Sequence, residues 1–94
     1  MLDDEFEWDD AKAAANLTLH GVAFFIARDV FRDPFAIDWI DNRRDYGEER
    51  YSIIGMVAGR LLHIAYTMRG ERIRIISARG AEPNERRRYH EANA

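Results

Sequence analysis

A chain of 94 residues with net charge −3 and no cysteine can bury one modest core, but it has no disulfide frame, thiolate nucleophile or Cys-based metal site. Nearly half of it is apolar (47%) and a third charged (33%), ordinary for a soluble globular protein. No apolar run approaches the ~20 residues of a membrane span, and the acidic N-terminus is unlike a signal peptide, so one cytoplasmic domain over residues 1–94 is expected, without membrane contact.

The charge is unevenly spread. Residues 1–47 hold eleven acids and five bases, residues 48–94 six acids and nine bases, and thirteen of the fourteen bases are arginine. The planar guanidinium fork binds phosphate or carboxylate bidentately, so the bias leans towards anion recognition, although GC-rich coding alone accounts for such a bias.

In chain order, Met1–Glu5 is acidic and expected to fray, and Phe6-Glu-Trp8 alternates like a short extended segment. Asp9 or Asp10 offers an N-cap for a helix over Ala11–His20, with Ala11, Ala14, Ala15 and Leu19 on one stripe and Gly21 placed to end it. Lys12, Asn16 and His20 recur every four residues, a polar row along that helix. Phe24–Arg32 reads as a second helix, poorly capped by Ala23 and ended by Asp33-Pro34. Strands are expected at Phe35–Ile40, Arg50–Val57, Arg60–Thr67 and Arg72–Arg79, with a polar loop Asp41–Glu48 and turns at Ala58-Gly59 and near Gly70. Pro83 opens a terminal helix to about Ala92. The expected fold is α+β: two N-terminal helices, a four-stranded antiparallel meander and a C-terminal helix, with the helices on one face of the sheet.

Turn positions predict register. A turn between Ala58 and Gly59 sets Ile53 opposite Ile64 and Gly55 opposite Leu62. One between Arg69 and Gly70 sets Ile64 opposite Ile75 and Arg60 opposite Arg79. Ile53, Leu62, Ile64, Ile73 and Ile75 then share a buried face, with Arg60 and Arg79 facing each other at its rim. Like charges in that position are destabilising unless an acid or an anion lies between them. Glu7, Glu82 or Glu85 would make this a structural Arg–Glu cluster; a bound phosphate would make it a clamp. The opposite face gathers Arg50, Ser52, His63, Arg72 and Arg74 around Ile54, Leu61 and Ile76. It suits phosphodiester binding or cleavage, or simply faces solvent with arginine stems covering apolar neighbours. The last helix carries Arg86-Arg87-Arg88 and Tyr89, a pattern suited to phosphate contact and base stacking and equally to a solvated helix face.

His20, His63 and His90 lack metal-ligand spacing. The serines lack a nucleophile-elbow pattern and there is no glycine-rich phosphate loop, so no metal or cofactor is expected.

Phe6-Glu-Trp-Asp9 with Lys12, Asn16 and His20-Gly-Val22, then Phe31-Arg-Asp-Pro34, Glu49-Arg50, Ile54-Gly55, Arg74-Ile-Ile-Ser-Ala-Arg79, Glu85-Arg86 and Tyr89 together resemble the BrnT toxin family. The resemblance covers the chain from Phe6 to Tyr89. It implies a toxin of a bacterial type II toxin–antitoxin pair with a fold similar to RelE-type ribonucleases. It also implies metal-independent RNA cleavage by attack of the ribose 2′-OH on the adjacent phosphate. By that resemblance Arg79 and Arg60 stabilise the phosphate, while Glu49 and His20 are the base and acid candidates. Lys12, Arg50, Arg74, Arg86 and Tyr89 support the RNA. His63 stands where the family commonly has an aliphatic residue, so the resemblance assigns it no role. The implied partner is a BrnA-like antitoxin with a ribbon-helix-helix DNA-binding part, forming a hetero-oligomer that reaches operator DNA only through the antitoxin and represses its own promoter. A reading of a different class is a non-catalytic partner-binding module whose Arg-rich face engages an acidic peptide.

Overall fold

The computed structural model describes residues 1–94, and its first helix follows from local chemistry. Asp9 caps α1 (Asp10–His20) by accepting the Lys12 amide at 3.0 Å. Gly21, at φ 68°, closes the far end by donating its N–H to the Leu17 carbonyl, in a left-handed conformation that favours glycine. The helix expected over Phe24–Arg32 is divided. Ala23 provides no side-chain cap, and α2 is a single turn, Phe24–Ala27, that tightens into a 3-10 helix over Arg28–Arg32 and stops ahead of Pro34.

The meander is present as β2 (Ile37–Ile40), β3 (Tyr51–Val57), β4 (Arg60–Arg69) and β5 (Arg72–Gly80). It is not the whole sheet. A fifth strand, β1 (Phe6–Glu7), lies parallel to β5, with Phe6 beside Ile73 and Glu7 beside Arg74, giving a mixed sheet of order β1-β5-β4-β3-β2. The alternation of Phe6-Glu-Trp8 marks this segment as extended, as expected, but does not show that it joins the sheet beside β5. The acidic Met1–Glu5 segment, expected to fray, turns back on β1 through the Asp3 amide to Phe6 and a Leu2–Glu7 bridge, while Arg72 donates to the Asp3 carbonyl at 2.7 Å.

Beyond β1 the outer edge of β5 has no strand beside it, and Asn16 on α1 takes that place. Its amide donates to the carbonyls of Ala78 (2.8 Å) and Val22 (3.0 Å) and accepts the Ala78 N–H (3.1 Å). The side chain thus completes the β5 ladder as a strand would and pins α1 to the sheet edge.

The two hairpins differ in how well turn position predicts register. Ala58 and Gly59 both have positive φ (49° and 80°), as a two-residue hairpin turn requires, and Ile53 pairs with Ile64 and Gly55 with Leu62 as expected. The second turn is centred one residue later than expected, so Arg69 pairs with Arg72 and Tyr66 with Ile75. Then Ala65 pairs with Ser77, leaving Ile76 as an unpaired bulge residue. Arg79 is therefore opposite His63, and Arg60 opposite Val57; the expected Arg60–Arg79 pairing is absent. Because side chains alternate, the extra residue moves Arg79 off the face that Ile75 occupies and onto the other.

One face of the sheet buries Ile53, Leu62, Ile64, Tyr66, Ile75 and Ala78 against Phe6, Trp8, Val22, Phe24, Ala27 and Val30. Gly55 lets the 3-10 segment press onto β3, since a Cβ there would lie 2.7 Å from Val30 Cγ1. The last helix, α3 (Pro83–Ala92), does not join α1 and α2. It crosses to the opposite face, where Tyr89 packs on Ile54 and Leu61. The Tyr89 hydroxyl donates to Asp33 at 2.7 Å, and the same carboxylate accepts the Met56 amide at 2.7 Å and the Phe35 amide at 2.9 Å. Ile54 and Leu61 lie on the face that the sequence left open between a binding surface and a solvent-facing side, and they are buried there because α3 covers them.

Two substitutions test these joints. Asn16→Ala orphans the buried N–H and C=O of Ala78 and is expected to destabilise the protein by about 3 kcal/mol in urea unfolding. Gly55→Ala meets Val30 at a distance no real contact shows, and the same measurement should give a loss of about 1–3 kcal/mol from overpacking.

Candidate phosphate-binding groove

The face opposite α1 is organised in three cross-strand rows. The first runs Ile37, Ile54, His63, Arg79 and the second Trp39, Ser52, Ala65, Ser77. The third joins Thr67 and Arg74 to Glu7 on β1, with Arg50 just ahead of β3 on its other side. Ser52, Ala65 and Ser77 are small, so the middle row is a trench between two rows of larger polar side chains. α3 roofs the first row and, through Arg88 over Trp39, one end of the second.

Within the first row, Glu85 is the hub. Pro83 starts α3, and the Glu82/Glu85 capping box turns the Glu85 carboxylate back onto the Glu82 amide at 2.8 Å. That position aims it at β5, where Arg79 grips it bidentately, Nη1 to Oε1 at 2.8 Å and Nη2 to Oε2 at 3.0 Å. The His63 Nε2 lies 3.7 Å from the second oxygen. Arg79 also donates from Nη1 to its neighbour's carbonyl, Gly80 O, at 3.1 Å. Its Nε–H and one Nη2–H remain free for an anion.

The electrostatics follow from burial and from this geometry. His63 is only 6% exposed; burial and then the Arg79 charge hold its pKa below the usual imidazole value, against the opposing pull of Glu85. The ring is therefore neutral at neutral pH. Burial raises the Glu85 carboxyl, but the hydrogen bonds from Arg79 and the Glu82 amide outweigh it and keep the group below its usual range. The pair is thus a fixed carboxylate holding a fixed guanidinium beside an uncharged base. Arg43 stands near enough to lower the His63 value further, and is itself held by Asp41 through two 2.9 Å hydrogen bonds.

Two polar hollows open on this face. One, of about 170 Å³, lies over His63 and Ser52 and is walled by Trp39, Arg43, Asn84 and Arg88. The other, of about 140 Å³, lies between Lys12, Arg50, Arg69 and Arg74, with Asp9 and Glu48 at its margin. Arg74 is paired with Glu7 at 2.6 Å, and the Arg50 guanidinium rests 4.4 Å from the Tyr46 ring centroid.

Sequence reasoning placed some of these residues together and others apart. Lys12, Arg50 and Arg74 meet in the second hollow, and Arg79 lies in the first row. Arg60 is on the opposite side of the sheet, beside Leu62 and Val57 in an apolar hollow of about 330 Å³ that also exposes Leu17 and Ile26. His20 is exposed at the end of α1 and makes neither hydrogen bond nor ion pair. Glu49 lies beyond the third row, its carboxylate accepting the Tyr51 hydroxyl at 2.9 Å and its carbonyl the Thr67 hydroxyl at 2.6 Å. Arg86 is exposed on α3, and Tyr89 is buried in the helix contact, where burial and Asp33 push its hydroxyl up to about 12. His63, Trp39, Arg43, Asn84 and Arg88 were not assigned. The turn-based register already put His63 on this face, but it gave no sign that Arg79 would join it.

A small domain that sets an anchored arginine and a neutral histidine along a basic trench has the features of an RNA-directed protein, and comparison with known families agrees. Residues 8–85 match the family described as "Ribonuclease toxin, BrnT, of type II toxin-antitoxin system". The match spans most of the chain, which belongs to the BrnT family of ribonuclease toxins; membership of a type II system implies an antitoxin partner. No curated protein matches. No helix is long and apolar enough to cross a membrane.

The pKa directions set a stability prediction. His63 binds a proton less readily in the folded state than its reference value of 6.5, so the unfolded chain takes up the extra proton and stability falls as pH drops from 6.5 to the lowered value. Glu85 and Asp33 are also depressed, below reference values of 4.5 and 3.8, and their contribution is lost only at lower pH still. Urea unfolding from about pH 8 to about pH 2 should show both declines, and His63→Gln should remove the upper one alone.

Proposed function

We propose that the chain is a metal-independent endoribonuclease, acting as one domain of residues 1–94 in the cytoplasm, that cleaves RNA by 2′-OH attack and so stops translation. The observation that carries this reading is the Arg79–Glu85 grip beside neutral, buried His63. The substrate phosphate would meet the free N–H groups of Arg79, which gain strength as charge develops on the phosphorane. Neutral His63 takes the 2′-OH proton as that oxygen attacks. The bond to the 5′-oxygen breaks, water in the open groove protonates the leaving oxygen, and a 2′,3′-cyclic phosphate remains. Glu85 orients Arg79 and balances the imidazolium once it forms. Lys12, Arg50 and Arg74 would hold the flanking backbone, at a cost in salt sensitivity common to such contacts.

In this reading His63 replaces His20 as the base, because His63 lies opposite Arg79 and beside Glu85, whereas His20 is exposed at the end of α1 without a partner. Arg60, Glu49, Arg86 and Tyr89 lie outside the reacting centre. The partner is a BrnA-like antitoxin with a ribbon-helix-helix part, through which alone the pair binds its operator and limits its own expression. A RelE-like arrangement of helices and sheet is in keeping with the observed element order.

Induced expression of wild type in a bacterium should arrest growth and fragment RNA. Purified Arg79→Ala should cleave about 10²–10³-fold more slowly, His63→Ala about 10²–10⁴-fold, and EDTA should leave the wild-type rate unchanged. The pH–rate profile should fall on the acid side with a midpoint below 6.5, as His63 becomes protonated. A soluble wild type that leaves RNA intact, or an Arg79→Ala variant as active as wild type, would count decisively against the mechanism.

A further inference from the structure

The hollow over His63 contains more recognition chemistry than phosphate cleavage requires. Trp39 ends the middle row, its indole half-buried and its ring centroid 6.0 Å from that of His63. The Arg88 guanidinium lies over the indole, 4.2 Å from its centroid, and forms no ion pair with any carboxylate. Asn84, one turn earlier on α3, has an exposed side chain without a hydrogen-bond partner. A hollow of about 170 Å³ equals the liquid volume of roughly six waters, which suits one flat ring system and excludes a folded backbone.

We infer that the hollow bounded by Trp39, Arg88 and Asn84 is a nucleobase subsite, which takes one unpaired base of single-stranded RNA next to the phosphate at Arg79. This inference rests on the ribonuclease reading of the same groove. The base stacks on the indole face, and the Arg88 plane closes on its other side, so the observed Arg88–Trp39 contact is the empty form of a sandwich. Asn84, with two donors and an acceptor, reads the base edge that faces α3. The trench floor of Ser52, Ala65 and Ser77 is small enough for the sugar to pass, which brings its 2′-OH towards His63. Stacking supplies affinity for any base, and Asn84 supplies the preference among bases.

The test uses His63→Ala as background, so that RNA stays intact, and measures binding of a mixed-sequence single-stranded RNA decamer and of an abasic decamer with the same sugar–phosphate chain. Trp39→Ala should weaken the RNA by about tenfold or more and leave the abasic chain unchanged, while Trp39→Phe should recover most of the affinity. In the otherwise wild-type chain, Asn84→Ala should redistribute cleavage among sites in a long RNA without abolishing cutting. Equal loss for RNA and abasic chain in Trp39→Ala would assign the indole to packing and overturn the subsite, as would unchanged RNA binding. If the background protein binds neither chain and the wild type cuts no RNA, the ribonuclease reading falls along with the subsite. Cutting by a wild type whose Trp39→Ala variant behaves identically would remove only the subsite.

Discussion

Because a strand hands its side chains alternately to two faces, the unpaired Ile76 in β5 transfers everything after it to the other side of the sheet. Without it Arg79 would follow Ile75 into the apolar layer under α1, where a guanidinium would lack both water and partner. With it, Arg79 lies opposite His63, within reach of Glu85. The same shift lets Ala78 return to the core face, where its small side chain permits Asn16 to clasp its backbone. One extra residue thus serves the apolar layer and the polar groove together, and bulges commonly re-aim side chains in this way.

The chain is acidic overall yet presents a basic groove, and the ion pairs reconcile the two. Arg43, Arg74 and Arg79 each have a carboxylate partner, Asp41, Glu7 and Glu85. Such pairs add little to stability when exposed. Their larger effect here is geometric: a paired arginine has a fixed direction, and a guanidinium gripped on one edge keeps N–H groups on the other. A phosphate bound as proposed would meet oriented donors and need not organise them, which lowers the ordering cost of binding. Of the remaining acids, Asp9 and Glu48 border the second hollow, where Glu48 pairs with Arg50 and Arg69.

How much of this could be seen in the residues depended on the range of the interaction. Capping by Asp9, the Gly21 stop, the Ala58-Gly59 turn and the Pro83 start are decided within a few positions, and each forms where expected. The first hairpin register follows from its turn because no bulge intervenes. The second fails for the opposite reason: a bulge changes no composition or periodicity that a turn-based count would register. The row Lys12, Asn16, His20 makes the same point. One helix stripe sends Lys12 to the groove, Asn16 to the sheet edge and His20 to solvent. Nothing local separates those three fates. Trp39 and Arg43 reach the site from a strand and loop twenty or more residues from His63 in sequence, and only the folded sheet brings them there.

α3 contributes Asn84, Glu85 and Arg88 to the groove, yet its hold on the sheet is slight. Ile54, Leu61 and Tyr89 form a buried cluster of three, against twelve on the other face. Elements with few buried contacts open at lower free energy than the body of the fold, so α3 is the part of the site most easily displaced. The bond from Tyr89 to Asp33 counters this, for that carboxylate also caps the Phe35 amide and receives Met56. It ties the helix to the rigid end of β3 and to the turn before β2. Displacing α3 removes Glu85 from Arg79 and uncovers His63 in one movement, which restores an ordinary, solvated imidazole and frees the guanidinium to wander. Helix docking therefore holds the Arg79–Glu85–His63 arrangement on which the proposed mechanism relies, and the short Asp33–Tyr89 bond supports that docking.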